Sequence, residues 1–217
     1  MTPEVANPVN KHTQPELSKT RRASWIPNLG LMTDDLDLIN RGEWLNDRVV
    51  DAINKVVATN LCLDITQTTL LSQAATGFKP NTHESMQIIH GYNHWIATAC
   101  LGDEVLVADS MSQDISEYVA RQIKKLHKNQ LVDNRLKVTL KQCTQQRNGN
   151  DCGVYAAAFM FEWATMTPDL SADFDTKRMR KHLVSCLEKG VATPFPRVRA
   201  SAKKSLHNLS SEKVIII

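Results

Sequence analysis

The strongest constraint on the fold is an apolar helix that the chain enters directly from a turn-rich loop. The stretch 145–153 is rich in Asn, Gly and Asp, residues that favour turns and helix caps. From Val154 to Thr165, apolar residues recur at helical spacing. We therefore predict a mostly buried helix that Asp151 caps and that carries Cys152 in its first turn.

This position makes Cys152 a candidate nucleophile. The start of a helix offers unpaired N–H groups and a partial positive charge, which favour a thiolate over a thiol. The alternative is a small buried apolar cysteine, which is the commoner fate of this residue. The choice depends on whether the chain supplies a base and an orienting acid elsewhere.

Composition indicates an ordinary globular protein. The 217 residues are 42% hydrophobic and 23% charged, with a net charge of +3, too small to predict nucleic-acid binding. Five cysteines, an odd number with no C-x-x-C pair, argue against a disulfide framework or a structural zinc site. We expect no metal, no cofactor, no secretion signal and no membrane span. An intracellular monomer is predicted, in the nucleus or the cytoplasm.

Two tails are expected to flank one domain. Residues 1–24 are polar and proline-containing, end in a basic cluster, and are predicted to be a flexible tail. Residues 25–197 form the predicted folded domain. Residues 198–217 are basic and are predicted to be a second flexible tail, free or docked to a partner.

The pattern between the tails predicts an α+β domain. Residues 66–84 are expected to be irregular, with Leu70, Leu71 and Phe78 as anchors. Thr33, Asn46 and Asp175 are predicted helix caps. Helices are predicted over 34–41, 47–59, 115–128, 152–165 and 176–189, and strands over 86–90, 94–101, 104–109 and 136–142.

One predicted hairpin permits a geometric inference. If Gly102 and Asp103 form a two-residue loop, His94 faces Met111, and Asp109 is its diagonal neighbour on the same sheet face. The carboxylate could then hold the imidazole Nδ1–H and leave Nε2 as a base. A surface pair is the alternative, and a one-residue shift of register would separate the two side chains.

These separated residues have the chemistry of a thiol hydrolase. Cys152 would be the nucleophile, His94 the base and Asp109 the orienting acid. Gln146 lies in the loop before the cysteine, and its amide could join the Cys152 N–H in an oxyanion hole.

Four blocks of residues resemble the ubiquitin-like-protein (SUMO/sentrin) protease family, a branch of the papain-like cysteine proteases. They occur in the family's order, and the resemblance spans about residues 29 to 196. The blocks are Trp44-Leu45-Asn46-Asp47, His94-Trp95, Asp109-Ser110 and Gln145-Gln146-x-Asn148-Gly149-x-Asp151-Cys152-Gly153.

The resemblance implies a papain-like α+β fold, with a central mixed or antiparallel sheet, flanking helices and the nucleophile at a helix N-terminus. It implies cleavage after the C-terminal Gly-Gly of a SUMO-like modifier, in precursors or conjugates, by a triad of His94, Asp109 and Cys152 with Gln146 in the oxyanion hole. By the same resemblance, two further tryptophans and an acid bind substrate. Trp44 and Trp95 would flatten the channel for the Gly-Gly tail, and Asp47 would contact the body of the modifier or simply serve as a first-turn helix acid.

Two departures keep other functions open. Residues 61–84 show no family signature, and the pattern from Met179 to Pro196 looks like divergent members, some of them encoded in mobile elements. The modifier could therefore be SUMO, ubiquitin or a relative. The alternatives are an inactive module that binds a modifier or partner, and a mobile-element protein whose basic tails bind nucleic acid.

Overall fold

The computed structural model describes residues 23–63, 66–81, 84–112, 114–166, 170–171, 173–198 and 212–217. Its helices are α1 (Thr33–Asn40), α2 (Asp47–Leu61), α3 (Glu117–Leu126), α4 (Cys152–Ala164) and α5 (Thr176–Lys189). Its strands are β1 (Ser24–Ile26), β2 (Leu31–Met32), β3 (Ser85–His90), β4 (Trp95–Leu101), β5 (Glu104–Ala108), β6 (Lys137–Leu140) and β7 (Lys213–Ile216).

A mixed five-stranded sheet forms the centre, with its strands in the order β3-β4-β5-β6-β7. The β5–β6 pair is parallel and the other neighbours are antiparallel. In the β4–β5 hairpin Leu101 pairs with Glu104 and Ala97 with Ala108, so Gly102 and Asp103 form the loop. The predicted hairpin register is confirmed, and it brings the start of β4 beside the end of β5.

Helices cover both faces of this sheet because its strands alternate between two apolar clusters. In β4, Trp95, Ala97 and Ala99 pack in the cluster that includes α2 and α4. Ile96 and Cys100 point the other way and pack with α3. The α+β class with a sheet flanked by helices is confirmed.

Helix α4 is the most deeply buried element, as its sequence predicts. Each of its residues except the last, Ala164, is buried. Its one acid, Glu162, is fully buried and accepts hydrogen bonds from the Phe195 backbone N–H (3.0 Å) and from Arg197 Nη2 (2.7 Å). This pairing satisfies the carboxylate and anchors the segment after α5 against the end of α4.

The tail predictions are tested only in part. Residues 1–22 and 199–211 lie outside the described residues, and Ser24 begins β1. The prediction of a flexible tail over 198–217 is wrong for 213–216, which form β7 on the edge of the sheet. The physical reason is that the backbone pairs with β6 while Ile215 and Ile217 pack on the α3 side.

Three local predictions are also wrong. Thr33 is the first residue of α1 and not its cap, and the Asp35 carboxylate accepts the Met32 N–H instead (2.9 Å). Asp175 precedes α5 without a side-chain cap hydrogen bond. Leu70 is 55% exposed and anchors nothing, whereas Leu71, in the same 3-10 turn (Thr69–Ser72), packs against the core as predicted.

Two further local predictions are confirmed. Asn46 caps α2 by accepting the Val49 N–H at 3.0 Å, and Phe78 is buried. All five cysteines are free. Among the described residues, no helix combines the length and the apolar character needed to cross a membrane.

Candidate active site

His94 and Asp109 meet at one edge of the sheet. His94 directly precedes β4 and Asp109 directly follows β5, and these strands pair antiparallel. The His94 Nε2 to Asp109 Oδ1 distance is 2.6 Å, and both side chains are only about a tenth exposed. The hairpin therefore joins an imidazole and a carboxylate in a short, largely desolvated hydrogen bond.

The ring nitrogens have exchanged the expected roles. We predicted that Asp109 would hold Nδ1, but it holds Nε2. The Asp109 Oδ1 atom is itself fixed by the N–H groups of Met111 (2.7 Å) and Ser112 (3.1 Å). The Asp109 side chain is short and is bound to the backbone of its own turn. The His94 ring therefore contacts it through Nε2, the nitrogen farther from the His94 backbone.

Cys152 is the second neighbour of the His94 ring. Nδ1 of His94 is buried and has no hydrogen-bond partner among the described residues, and the Cys152 thiol lies close enough to act on the ring. Cys152 is the first residue of α4 and is 2% exposed. The three predicted residues therefore converge, although 15 residues separate His94 from Asp109 and both are distant in sequence from Cys152.

The surroundings favour a protonated ring on His94. Burial lowers the pKa of His94, but the hydrogen bond to Asp109 and the interaction with the Cys152 sulfur outweigh it. The result is a pKa of about 9, against an ordinary value of 6.5. An imidazolium next to a sulfur at a helix start is the arrangement that activates a thiolate.

The backbone of Asp109 is tied to the loop that leads to the nucleophile. Its carbonyl accepts hydrogen bonds from Gln145 Nε2 at 3.0 Å and from the Cys143 thiol at 3.2 Å. Burial is the main influence on Cys143 and raises the pKa of its thiol to about 12. Cys143 is therefore a structural donor, while Cys152 is the cysteine beside the imidazole.

Asp151 does not cap α4, contrary to prediction. It occupies the N-cap position, but its side chain makes no cap hydrogen bond. Its carboxylate instead accepts two hydrogen bonds from Arg180 on α5, at 2.8 and 2.6 Å, and one from Asn148 Nδ2 at 2.7 Å. A charged, bidentate donor outcompetes a backbone N–H for the carboxylate.

Gln146 lies in the same loop with both ends of its amide occupied. Ser110 Oγ donates to Gln146 Oε1 (2.6 Å), and Gln146 Nε2 donates to the Asn148 carbonyl (2.6 Å). The Gln146 backbone N–H also donates to the Ser110 carbonyl (2.8 Å). The amide is thus held between the end of β5 and the loop before Cys152, and one of its two N–H groups is not accounted for by these bonds.

The two predicted substrate tryptophans differ in exposure. Trp44, in the loop between α1 and α2, is 49% exposed, whereas Trp95 is 8% exposed. Trp95 Nε1 donates to the Leu45 carbonyl at 2.8 Å. A Cβ on Gly153 would lie 3.0 Å from Leu45 and from Trp95, so the start of α4 packs tightly against both. The sequence blocks that contain Leu45, Trp95 and Gly153 therefore meet beside Cys152.

An ion pair with a buried carboxylate adjoins the Trp44 loop. Asp35 is fully buried and accepts hydrogen bonds from Arg48 (2.8 Å) and from Asn46 Nδ2 (2.7 Å). Burial raises the pKa of Asp35, but these donors and the Met32 N–H outweigh it and hold the pKa below its usual range. Asp47 begins α2 next to this network and is half-buried, outside the contacts among His94, Asp109 and Cys152.

Sequence reasoning missed three residues that shape the site. The sequence patterns contain Ser110 and Arg180 without indicating a role for them, and for Asn148 they indicate only a turn. Their partners lie 36 residues away for Ser110 and 29 for Arg180, so no local pattern signals the contacts. Within the described ranges, no three His, Cys, Asp or Glu side chains are grouped so that they could hold a metal ion.

The chain resembles known proteins both in sequence and in structure. Residues 85–190 match the model of the Ulp1 protease family, C-terminal catalytic domain. No curated protein matches the chain. Two solved structures of SUMO protease Ulp1 are similar: one with its catalytic cysteine oxidized to a sulfinic acid, and one in complex with Smt3, the yeast ortholog of SUMO.

The structural similarity is extensive although the sequences have diverged. The oxidized form has a TM-score of 0.59 and 16% identity over 81% of this chain and 91% of its own. The Smt3 complex has a TM-score of 0.56 and 17% identity over 74% and 83%. A structure described as a de-sumoylating protease has a TM-score of 0.51 and 15% identity over 74% and 86%. At these identities the structures show a shared fold, and the predicted papain-like fold is confirmed.

Proposed function

We propose that this chain is a cysteine protease of the Ulp1 family, whose catalytic-domain model matches residues 85–190, and that it cleaves after the C-terminal Gly-Gly of a SUMO-like modifier. The substrate would be a modifier precursor or a modifier joined to a lysine of another protein. One of the similar Ulp1 structures is a complex with Smt3, which supports a modifier of this class.

The observation that carries the proposal is the short His94–Asp109 hydrogen bond together with the interaction of the same ring with Cys152. The carboxylate holds Nε2 at 2.6 Å and stabilises the protonated ring, so that Nδ1 carries a proton toward the sulfur. This orientation gives each of the three side chains one role: nucleophile, acid–base and orienting group.

The reaction proceeds by acyl transfer. The Cys152 thiolate attacks the carbonyl of the last glycine, and the C–N bond breaks as His94 Nδ1–H protonates the leaving amine. The neutral imidazole then takes a proton from water, whose oxygen attacks the thioester and releases the modifier carboxylate and the thiolate. The Cys152 N–H and the Gln146 amide would stabilise the oxyanion of both tetrahedral intermediates.

Substrate selection is assigned to the same edge of the domain. Trp44 exposes half of its side chain beside the site, and its ring would cover the Gly-Gly tail. Trp95 is largely buried, so its proposed part is to support the Leu45–Gly153 contact under that tail. Asp47, half-exposed at the start of α2, would contact the body of the modifier.

A panel of modifiers with thiol-trapping groups at their C-termini tests the proposal. SUMO, ubiquitin and other relatives are incubated with the protein, and adducts are located by mass spectrometry. We expect an adduct with a SUMO-type probe on Cys152, and none with Cys152→Ala. The exposed thiol of Cys62 is the matched control, since Cys62→Ala should react like the parent.

Turnover completes the test. Cys152→Ala should bind the modifier but not cleave a Gly-Gly-linked substrate. Cleavage by Cys152→Ala at the parent rate would refute the assignment of the nucleophile. An adduct with ubiquitin and not with SUMO would support Cys152 as the nucleophile but would show that the modifier is ubiquitin.

A further inference from the structure

The side-chain amide of Gln146 is held at both ends, and we infer that Ser110 is a positioning residue that orients it for oxyanion stabilisation. The inference rests on the function proposed above, in which Gln146 contacts the reacting carbonyl oxygen. Ser110 itself lies two residues beyond the end of β5, directly after Asp109, and is 1% exposed.

The geometry gives each end of the amide its own partner. Ser110 Oγ donates to Oε1 and the Asn148 carbonyl accepts from Nε2, and both distances are 2.6 Å. The Gln146 N–H donates to the Ser110 carbonyl at 2.8 Å, so backbone and side chain of the two residues are joined. Because both Oε1 and Nε2 are hydrogen-bonded, the Gln146 side-chain amide cannot rotate without breaking a hydrogen bond.

The chemistry of the partners decides which way the amide points. A backbone carbonyl can only accept, so Asn148 selects the NH₂ end of Gln146. The Ser110 hydroxyl can donate, and it therefore complements the oxygen end. One N–H of the NH₂ group remains for another acceptor, and a developing oxyanion is such an acceptor.

Further hydrogen bonds connect Asn148 to the residue before the nucleophile. Asn148 Nδ2 donates to the Asp151 carboxylate at 2.7 Å, and Asn148 Oδ1 accepts the Asp151 N–H at 3.0 Å. Asp151 directly precedes Cys152. The same chain of hydrogen bonds therefore fixes the amide relative to the two elements that carry the triad, β5 with Asp109 and α4 with Cys152.

The consequence is a catalytic role exerted through Gln146. Without the Ser110 hydroxyl, Oε1 loses its donor and the amide samples orientations in which the free N–H misses the oxyanion. We expect Ser110→Ala to lower kcat about tenfold, the size of one modest hydrogen bond, with KM unchanged. Gln146→Ala should lower kcat by on the order of 10²–10³, the usual loss for one oxyanion donor.

A double-mutant cycle tests this dependence with the full chain and a Gly-Gly-linked modifier substrate. If Ser110 acts through Gln146, Ser110→Ala should cost about tenfold in the parent and almost nothing in the Gln146→Ala background. Ser72→Ala is the matched control, because Ser72 is also buried and its hydroxyl donates to a carbonyl, that of Thr69, at 2.6 Å. It should leave kcat unchanged.

A second readout does not depend on activity. With ¹⁵N-glutamine labelling, the side-chain NH₂ signals of Gln146, identified by their loss in Gln146→Ala, should show slow hydrogen exchange that Ser110→Ala accelerates. An unchanged exchange rate, or equal tenfold losses in both backgrounds of the cycle, would overturn the inference while the proposed protease function stands. A parent chain that cleaves no modifier would instead overturn the proposed function, and the positioning role with it.

Discussion

Arg180 on α5 forms an ion pair with Asp151, the residue directly before the nucleophile. Its Nε and Nη2 atoms donate to one carboxylate oxygen of Asp151 at 2.8 and 2.6 Å, and both side chains are about 15% exposed. The same guanidinium donates to the carbonyls of Ile39 and Asn150, each at 3.2 Å. One side chain thus holds α1, the Gln146 loop and the start of α4 together.

Loss of this guanidinium should destabilise the domain and misplace the nucleophile. We expect Arg180→Met to lower the free energy of unfolding by about 3 kcal/mol, because it removes the charged donor from the mostly buried carboxylate of Asp151. Urea unfolding measures the effect. Arg178→Met is the control, since the Arg178 side chain is 71% exposed and its contact with Asp175 is 4.0 Å long; a loss as large as that of Arg180→Met would contradict the assignment.

The pH dependence of cleavage should report the His94–Asp109 bond. His94 has to be protonated to act on the leaving amine, so kcat/KM should fall as the pH rises through about 9, the pKa that Asp109 and Cys152 sustain against burial. Asp109→Asn removes the charge that stabilises the imidazolium, and the alkaline limb should move to lower pH. A limb that stays in place would show that another group controls it.

The same raised pKa links pH to stability. Since the folded pKa of about 9 exceeds the ordinary 6.5, this pair's contribution is fully present below pH 6.5 and is lost as the pH rises through 9.

A methyl group at Gly153 should be poorly tolerated. Its carbon would lie 3.0 Å from Leu45 Cβ and Cδ1 and from Trp95 Cδ1, closer than unstrained packing allows. We expect Gly153→Ala to cost about 1–3 kcal/mol of unfolding free energy and to lower kcat, because the strain is adjacent to Cys152. Gly149→Ala is the control: nothing lies within 4 Å of its added carbon, so its thermal midpoint should match the parent.

Acid should destabilise the domain through His127. This ring is 1% exposed, neither nitrogen has a hydrogen-bond partner among the described residues, and burial lowers its pKa to about 4. Below pH 6.5 the His127 ring is protonated in the unfolded chain but stays neutral in the folded chain. The free energy of unfolding therefore falls as the pH drops toward 4.

The variant His127→Leu should remove this slope and retain about 2–3 kcal/mol more stability at pH 4 than the parent. Urea titrations at pH 7 and pH 4 measure the difference. His182→Gln is the control, because a hydrogen bond with Cys186 raises the pKa of His182 and gives the opposite slope. Equal acid losses in the parent and His127→Leu would show that this ring is not responsible.

Local pattern was enough to predict the elements that carry the site. Apolar spacing predicted α4 and the position of Cys152 in its first turn, since a helix buried on all sides needs an almost unbroken apolar run. The Gly102-Asp103 signal predicted the β4–β5 register, and with it the meeting of His94 and Asp109. Both are decided by neighbours in sequence, where spacing and turn chemistry act directly.

The sequence by itself determined the five helices and the strands β3 to β6, and it placed His94 beside Asp109 at one end of the β4–β5 hairpin. Only the tertiary structure decided that Nε2 and not Nδ1 holds Asp109, that Asp151 leaves its cap for Arg180, that Ser110 clamps Gln146, and that residues 213–216 add a strand. Each of these outcomes is a competition for a hydrogen-bond partner between elements that are far apart in sequence. The distances between the competing groups and their burial in the folded domain decide the outcome. A local sequence pattern contains neither quantity.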